Sequence, residues 1–356
     1  MGRITGSTRY CRPIRRAVLA QTVALAVVIV AGPQPVSADP AGPTDYESSI
    51  SDTEPAPGVE LQVLGGDSFI EIVVDEGTEA TVLGYEGEPY VRIDADGTVS
   101  VNRNSPARYL NEDRYQDVAV PANADADAQP EWEVVADDGT YAWHDHRTHW
   151  MVPDTLPPSV GDRSQVHLVN EWELDLVVEG EPVTVHGELF VLPAEKAWIW
   201  GALALLAAGT VLALGRRSPV VTIGISATVA GSVAVLVSAT EKAAQPAALG
   251  PSPLPLALAC SGLVAGALTI ALARRRVGML AAFVSAAVLA PWAVLVLGHL
   301  TKPVLPTTLN PAAAHALIAL TVGAIVAVVI LAGLVAVLPR TSAPTVAPDS
   351  PAAPPP

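Results

Sequence analysis

Three of the seven histidines lie close together in the chain and are the residues best suited to chemistry. His144 and His146 are two positions apart, so on a β-strand both imidazoles would point to the same face, as in an H-x-H metal-binding pair. His149 or Met151 would join them if the chain bends after this pair. Imidazoles with a thioether favour copper, whereas imidazoles with the Asp145 carboxylate favour zinc.

The same cluster has an explanation that needs no metal. Trp143 and Trp150 flank the histidines and are suited to a hydrophobic core. The acids Asp137, Asp138 and Asp145 would then accept hydrogen bonds from the imidazoles and hold them in place. The sequence therefore leaves two alternatives open, a metal site and a hydrogen-bonded structural cluster.

A second pair of imidazoles lies in the apolar carboxy-terminal half. His299 stands near the end of the fourth apolar segment and His315 near the start of the fifth. Antiparallel neighbouring helices would bring these two side chains together, as a metal ion or the axial ligands of a haem iron require. The alternative is a pair of interfacial histidines that hydrogen-bond to water or lipid headgroups.

The histidine-rich stretch resembles copper loops of known families. Residues 139–144, followed by His149 and Met151, resemble the carboxy-terminal copper loop of cupredoxins, and the His-x-His resembles that of multicopper oxidases. The cupredoxin loop carries a cysteine where this chain has Asp145. The absence of this cysteine excludes a type 1 blue copper centre. What the resemblance implies is copper binding at a site of another type.

Two further resemblances are to membrane proteins. An exported β-domain followed by apolar spans is similar in outline to fused copper-resistance membrane proteins, although Asp39 stands where those have an amino-terminal histidine. The segment Tyr141–Arg147 also resembles a stretch of uncharacterised actinobacterial membrane proteins with an exported β-domain. That last resemblance implies no activity.

Short β-strands must position the first histidine cluster. Between residues 59 and 192, runs of β-branched and aromatic residues alternate with turns such as Asp96-Gly97. Apolar residues recur at every second position in Val166–Val178 and Val183–Val191, with Glu179-Gly180 between them, which predicts a half-buried antiparallel hairpin. Many short strands and frequent turns predict an all-β, sandwich-like domain over residues 59–192.

The two ends of the chain differ from this domain. Residues 1–38 predict a signal peptide, with an arginine-rich start, an apolar core at Ala17–Ala31 and small residues before the cleavage site. An uncleaved anchor helix is the alternative. Residues 39–58, rich in proline, serine and acids, predict a flexible linker. Residues 339–356, rich in proline and alanine, predict a disordered cytoplasmic tail.

A membrane region follows the β-domain. Each of five apolar segments approaches or exceeds the roughly 20 residues that cross a bilayer, which predicts a five-helix transmembrane region over residues 198–338. Gly262 and Gly266 form a small-xxx-small pair that lets helices approach closely. The segments are Trp198–Leu214, Val220–Ser238, Leu254–Ala273, Val277–Leu297 and Ala312–Leu338.

Charge predicts the orientation of these parts. Residues 39–196 hold 34 of the 36 acidic residues and 7 of the 20 basic ones, a net charge of −27. Arginines mark alternate loops, at residues 216–217, 274–276 and 340, and lysines mark the others, at residues 242 and 302. Under the positive-inside rule the arginine side is cytoplasmic. The β-domain is then extracytoplasmic and the carboxy-terminus cytoplasmic, in a multi-pass protein of the plasma membrane.

Two functions follow as hypotheses. The first is a non-enzymatic, membrane-anchored β-domain protein that binds copper through His144, His146 and His149. The second is an envelope scaffold whose acidic surface recognises a basic protein without any metal. The lipid bilayer is a partner in both, and the acidic balance argues against nucleic acid. No nucleophile elbow, phosphate loop or zinc-protease motif is present in the sequence.

Overall fold

The computed structural model describes residues 40–54, 56–115, 119–152, 155–247, 253–275 and 277–337. These residues form a β-domain followed by long apolar helices, as the sequence predicts. The predicted signal peptide (1–38) and the predicted tail (339–356) lie outside the described residues.

The strands of the described part form two antiparallel sheets. The larger has seven strands in the order β1-β10-β9-β4-β5-β6-β7, and the smaller has three in the order β2-β3-β8. The strands are β1 Tyr46–Thr53, β2 Val59–Leu64, β3 Phe69–Val74, β4 Ala80–Leu83, β5 Pro89–Ile93, β6 Val99–Asn102, β7 Trp132–Ala136, β8 Thr140–Trp143, β9 His167–Val178 and β10 Glu181–Val191.

The two sheets share one hydrophobic core. Ile70, Ile72 and Trp143 enter it from the smaller sheet, and residues such as Val91 and Leu174 enter it from the larger one. Strand β3 is buried almost along its whole length because its two neighbours and the larger sheet cover it. Burial of this apolar surface is the main force that holds the sheets together, at roughly 25 cal/mol per Å².

The β9–β10 hairpin confirms the predicted period of two. Trp172 and Leu174 are buried at alternate positions, and the turn residues Glu179 and Gly180 both have positive φ, 51° and 82°. The alternation fails at Leu168, which is 44% exposed. The pairing register of β9 and β10 shifts between Leu189 and the next residue of β10. Such a bulge moves the side chains of β9 that precede it, including Leu168, to the other face of the sheet.

The flexible linker predicted for residues 39–58 is wrong. This segment contains β1, which pairs with β10 at the edge of the larger sheet. Its composition hides the strand, because Ser48 is its one buried residue and Ser48 Oγ accepts a hydrogen bond from Trp172 Nε1 at 2.9 Å. The β-domain therefore begins at Tyr46, and its first strand is held by main-chain hydrogen bonds to β10 and by the partly buried Tyr46 and Ile50, which pack against the core.

Five of the described helices are long and apolar enough to cross a membrane. Their ends lie close to the predicted ones, and the largest change is at α3, which continues past Ser238 to Ala243. A short helix α1 (Pro106–Leu110) lies in the β-domain, and a 3-10 turn (Leu297–Thr301) follows α5. The five helices are α2 Ala197–Gly215, α3 Pro219–Ala243, α4 Pro253–Leu272, α5 Gly278–Leu295 and α6 Pro311–Val337.

Close helix packing accounts for the small residues in this bundle. A Cβ added to Gly266 on α4 would lie 2.5 Å from Thr228 N on α3, so the two backbones are in direct contact there. Further along α3, Ser238 Oγ accepts a hydrogen bond of 3.1 Å from the buried indole of Trp292 on α5. The predicted small-xxx-small pair lies at two helix contacts, because Gly266 faces α3 and Gly262 faces the Leu289 side chain of α5.

The β-domain is joined to the helices by more than chain continuity. Thr44 N donates to Val304 O at 3.0 Å and Val304 N donates to Thr44 O at 3.1 Å, which makes a two-residue antiparallel bridge. A Cβ on Gly66, which has a φ of 83°, would lie 2.6 Å from Val304 Cγ1. We call this contact between residues 40–45, the β2–β3 turn and the loop before α6 the joint.

Candidate functional site

The histidine-rich segment is a buried loop and not a strand face. Strand β8 ends at Trp143, so His144 and His146 do not share one face of a strand as predicted. His144 and His149 are 1% and 3% exposed, and Asp145 between them is fully buried. The loop turns away from β8 because its backbone folds around the Asp145 side chain.

Asp145 is the centre of this loop. Its carboxylate accepts hydrogen bonds from Trp143 Nε1 at 2.8 Å and from Arg147 N, Nε and Nη2 at 3.1, 2.8 and 2.7 Å. Burial acts to raise the pKa of Asp145, but these donors and the guanidinium charge outweigh it and hold the pKa below its usual range. Arg147 also stacks over the Tyr85 ring at 4.9 Å. Both carboxylate oxygens therefore serve the structure of the loop.

Main-chain carbonyls lie next to the three imidazoles. The sequence predicted that Asp137, Asp138 and Asp145 would accept hydrogen bonds from the imidazoles. In the structure Asp137 and Asp138 face solvent and Asp145 faces Arg147, so the carbonyls take this role instead. The pairs are His144 Nδ1 with Ser68 O at 2.6 Å, His146 Nε2 with Asp113 O at 3.0 Å and His149 Nδ1 with Trp150 O at 3.3 Å.

The imidazoles are near one another, and His149 is uncharged. The rings of His146 and His149 meet edge to face with centroids 5.5 Å apart. Burial, with smaller contributions from the charge of Arg114 and from His146 and His144, lowers the pKa of His149 to about 3. His149 Nε2 is buried and has no hydrogen-bond partner among the described residues.

These contacts do not assemble the predicted metal site. Within the described ranges, no three His, Cys, Asp or Glu side chains are arranged to hold a metal ion. Met151 is half-buried in the loop that follows the histidines. The guanidinium of Arg114 acts on His149 as a neighbouring positive charge, which opposes a second cation. Copper binding therefore stays a prediction.

An ion pair that the sequence did not reveal lies beside the cluster. Asp67 is fully buried and accepts from Arg114 Nη2 at 2.6 Å, while Arg114 Nη1 donates to Ser68 Oγ at 2.6 Å. Burial raises the pKa of Asp67, and the Arg114 guanidinium opposes that rise. The two partners are 47 positions apart, so no local sequence pattern connects them.

A polar cavity of about 640 Å³ opens between the β-domain and the loop before α6. Asp45 lies on its wall and accepts from Arg163 Nη2 at 2.8 Å and from Lys302 Nζ at 2.7 Å. Burial raises the pKa of Tyr46 to about 12, together with the charges of Asp45 and Asp67. The polar and aromatic wall consists of Thr44, Asp45, Tyr46, Arg114, Tyr115, Trp150, Thr155, Arg163 and Lys302.

The second predicted pair, His299 and His315, has separate partners. His299 Nε2 lies 2.9 Å from Glu241 Oε1. Both ring nitrogens of His315 lie within hydrogen-bonding distance of main-chain oxygens, 2.7 Å from Pro311 O and 3.0 Å from Lys302 O. These contacts hold the loop of the joint against α6, and binding of a metal or a haem iron by His299 and His315 stays a prediction.

No protein-family model, curated protein or solved structure matches this chain.

Proposed function

We propose that this chain is a non-enzymatic, membrane-anchored interaction protein. Its β-domain is a sandwich of the two sheets, stands on the extracytoplasmic side and presents an acidic sheet face to a basic partner in the envelope. The observation that carries this proposal is the joint, where Thr44 and Val304 exchange main-chain hydrogen bonds and Asp45 bridges Arg163 and Lys302. A domain held at that end keeps a fixed orientation on the bundle and leaves its outer sheet face free.

The outer face of strands β1, β10 and β9 carries the acids. Register places Glu171 directly opposite Glu188, and like charges in that position repel. His186 is the one basic side chain among these opposed positions, and it lies 3.3 Å from Glu173. A cationic partner would relieve the repulsion. We call this set the acidic face: Glu47, Asp52, Glu171, Glu173, Asp175 and Glu188.

The proposed orientation is supported by the charges of the loops. Arg217 follows α2 at the end of the bundle away from the joint, whereas Thr308 is exposed in the loop of the joint. We expect a membrane-impermeant maleimide to label Thr308→Cys on intact cells and Arg217→Cys only after permeabilisation. Both variants require a background in which Cys11 and Cys260 are serine. The opposite labelling pattern would overturn the orientation.

The acidic face is tested with an oligo-lysine peptide and the full chain in lipid nanodiscs. We expect the peptide to bind, and to bind more weakly as salt rises, because exposed charges are screened beyond about 10 Å at 0.1 M. Removing three charges from the face should weaken binding more than removing three charges from turns. The face variant is Glu171→Gln, Glu173→Gln and Asp175→Asn, and the matched control is Asp75→Asn, Glu76→Gln and Asp96→Asn.

The comparison of these two variants decides the proposal. Equal weakening would mean that the peptide senses net charge alone, and the acidic face would then have no special role. Absence of binding to the wild-type chain at low salt would overturn the proposal outright.

Copper binding is a second candidate, favoured by the orientation of one imidazole. The Nδ1 atom of His149 faces the Trp150 carbonyl and its Nε2 atom is buried without a partner among the described residues, an arrangement common in metal-bound histidines. If this candidate is right, the purified chain takes up Cu⁺ stoichiometrically and His149→Phe abolishes the uptake. His186→Gln, an exposed histidine of β10, is the control. A wild-type chain that stays metal-free on titration rules copper out.

A further inference from the structure

Basic residues are concentrated around the cavity at the joint. Residues 39–196 carry a net charge of −27, yet the wall of this cavity holds Arg114, Arg163 and Lys302. Asp45 is the one acid among the described residues that line it. We call it the cationic cavity, because its wall is positive within a domain that is otherwise strongly negative.

The cations of this wall have hydrogen-bonding capacity to spare. Asp45 is shared between Arg163 and Lys302, so one carboxylate faces two positive charges. Arg114 is paired with the fully buried Asp67 behind the wall. The side chains of Arg163 and Lys302 are 28% and 38% exposed, so an anion in the cavity can reach both of them. An anion with several oxygens would accept from these two groups, and planar guanidinium forks suit phosphate oxygens.

The remaining wall suits an organic group next to that anion. Tyr46, Tyr115 and Trp150 line the cavity, and the Trp150 indole N–H is already donated to Thr155 O at 2.7 Å, so its ring presents an apolar surface. Aromatic side chains with one polar end are favoured where water meets the apolar part of a membrane.

A second cavity makes the arrangement amphiphilic. It has about 510 Å³, and it shares Pro40, Gly42 and Pro43 with the cationic cavity as a common wall. Its own lining includes Leu256 of α4 and Leu295 of α5, and it is mostly apolar. A charged cavity thus stands next to an apolar one at the end of the transmembrane helices.

We infer that the cationic cavity binds a phosphate group, as the headgroup of an anionic phospholipid whose chains reach the neighbouring apolar cavity, or as a free phosphate-bearing anion. Arg163 and Lys302, which share the single Asp45 carboxylate, supply both the charge and the hydrogen-bond donors. The site is separate from the acidic face, so it adds a ligand to the proposed interaction protein and does not depend on that proposal.

The test uses the full chain in detergent and three probes. They are a short-chain phosphatidylglycerol, a phosphatidylcholine with the same chains, and inorganic phosphate, each titrated calorimetrically. We expect Arg163→Gln to raise the dissociation constant of phosphatidylglycerol at least about tenfold, since a charge-assisted hydrogen bond is lost. Arg103→Gln, at an arginine that is 54% exposed elsewhere on the domain, should leave it unchanged.

A second variant guards against a folding defect. Asp45→Asn removes the carboxylate that competes for both cations, so we expect it to tighten the binding of the anion. It therefore changes affinity in the direction opposite to Arg163→Gln. Circular dichroism spectra like that of the wild type establish that each variant is folded.

The outcomes separate the two sources of phosphate. Binding of phosphatidylglycerol without saturable binding of inorganic phosphate assigns the cavity to a lipid headgroup. Arg163-dependent binding of inorganic phosphate assigns it to a free anion. The inference is overturned if no probe binds, if phosphatidylcholine binds as tightly as phosphatidylglycerol, or if both Arg163→Gln and Asp45→Asn bind like the wild type.

Discussion

Acid should destabilise the β-domain through the buried imidazole of His149. Its pKa is lowered from 6.5 to about 3 by burial and by Arg114. Between these values the unfolded chain binds a proton that the folded chain does not bind. Stability is therefore full above the unfolded pKa and falls as the pH decreases toward the folded pKa, by about 1.4 kcal/mol per pH unit.

The size of the effect follows from the two pKa values of His149. Lowering the pH from 7 to 5 should cost about 2 kcal/mol, because at pH 5 the unfolded imidazole is almost fully protonated and the folded one is neutral. The loss changes little with the folded pKa as long as that value lies below about 4. Carboxylates such as Asp145, whose pKa is lowered, contribute mainly below this pH window.

The assay is equilibrium urea unfolding of the β-domain in the detergent-solubilised full chain, with a chelator present, at a series of pH values. His149→Phe keeps an aromatic ring beside Tyr115 and His146 but cannot titrate. We expect this variant to lack the loss between pH 7 and pH 5, whatever its absolute stability. His186→Gln, at an exposed histidine, should keep the wild-type pH dependence. Parallel curves for the wild type and His149→Phe would refute a buried, neutral His149.

Three further changes test the core, the loop and the joint. Gly187→Ala places a Cβ 2.0 Å from the indole ring of its cross-strand neighbour and should lower the free energy of unfolding in urea by at least about 1–3 kcal/mol. The control is Gly161→Ala, whose Cβ would lie in open space, and equal effects of the two changes would contradict the packing. Arg147→Ala leaves the buried Asp145 carboxylate without its cation and should lower the free energy of unfolding by about 3–5 kcal/mol. A loss below about 1 kcal/mol would contradict the central role of Asp145 in the loop. Val304→Pro removes the N–H group of the β-bridge and should speed amide hydrogen exchange at residues 40–45. Val304→Ala keeps this N–H group and should leave the exchange rates unchanged. Equal rates in the two variants would mean that the bridge does not hold the joint.

The elements that the sequence predicted well are those with a local signal. Apolar length alone gave the five helices to within a few residues. The period of two gave the β9–β10 hairpin, with its turn at Glu179-Gly180. Strand β1 was missed because it is an edge strand whose one fully buried side chain is the polar Ser48, between the partly buried Tyr46 and Ile50, so its apolar alternation is weak. Its pairing with β10 depends on residues more than a hundred positions away.

The site was predicted as a set of residues but not as a set of contacts. Sequence pattern singled out His144, His146 and His149, and the structure does bring His146 and His149 together. Their carbonyl partners come from loops that no local pattern connects to them, since Ser68 precedes His144 by 76 positions. No sequence pattern predicted the cationic cavity, because the charged residues of its wall lie far apart in the chain, between positions 45 and 302.

The arginines of the β-domain explain how one domain can carry both an acidic face and a cationic cavity. All six pair with carboxylates, and three of them use the buried or nearly buried Asp45, Asp67 and Asp145. These arginines stabilise the loop and the joint, so few positive charges remain to neutralise the acids of the outer sheet face.

The two proposed sites should therefore respond differently to salt. Screening should abolish peptide binding at the exposed face long before it weakens an anion held between partly buried guanidinium groups, so a salt titration with both probes separates the two proposals in one preparation.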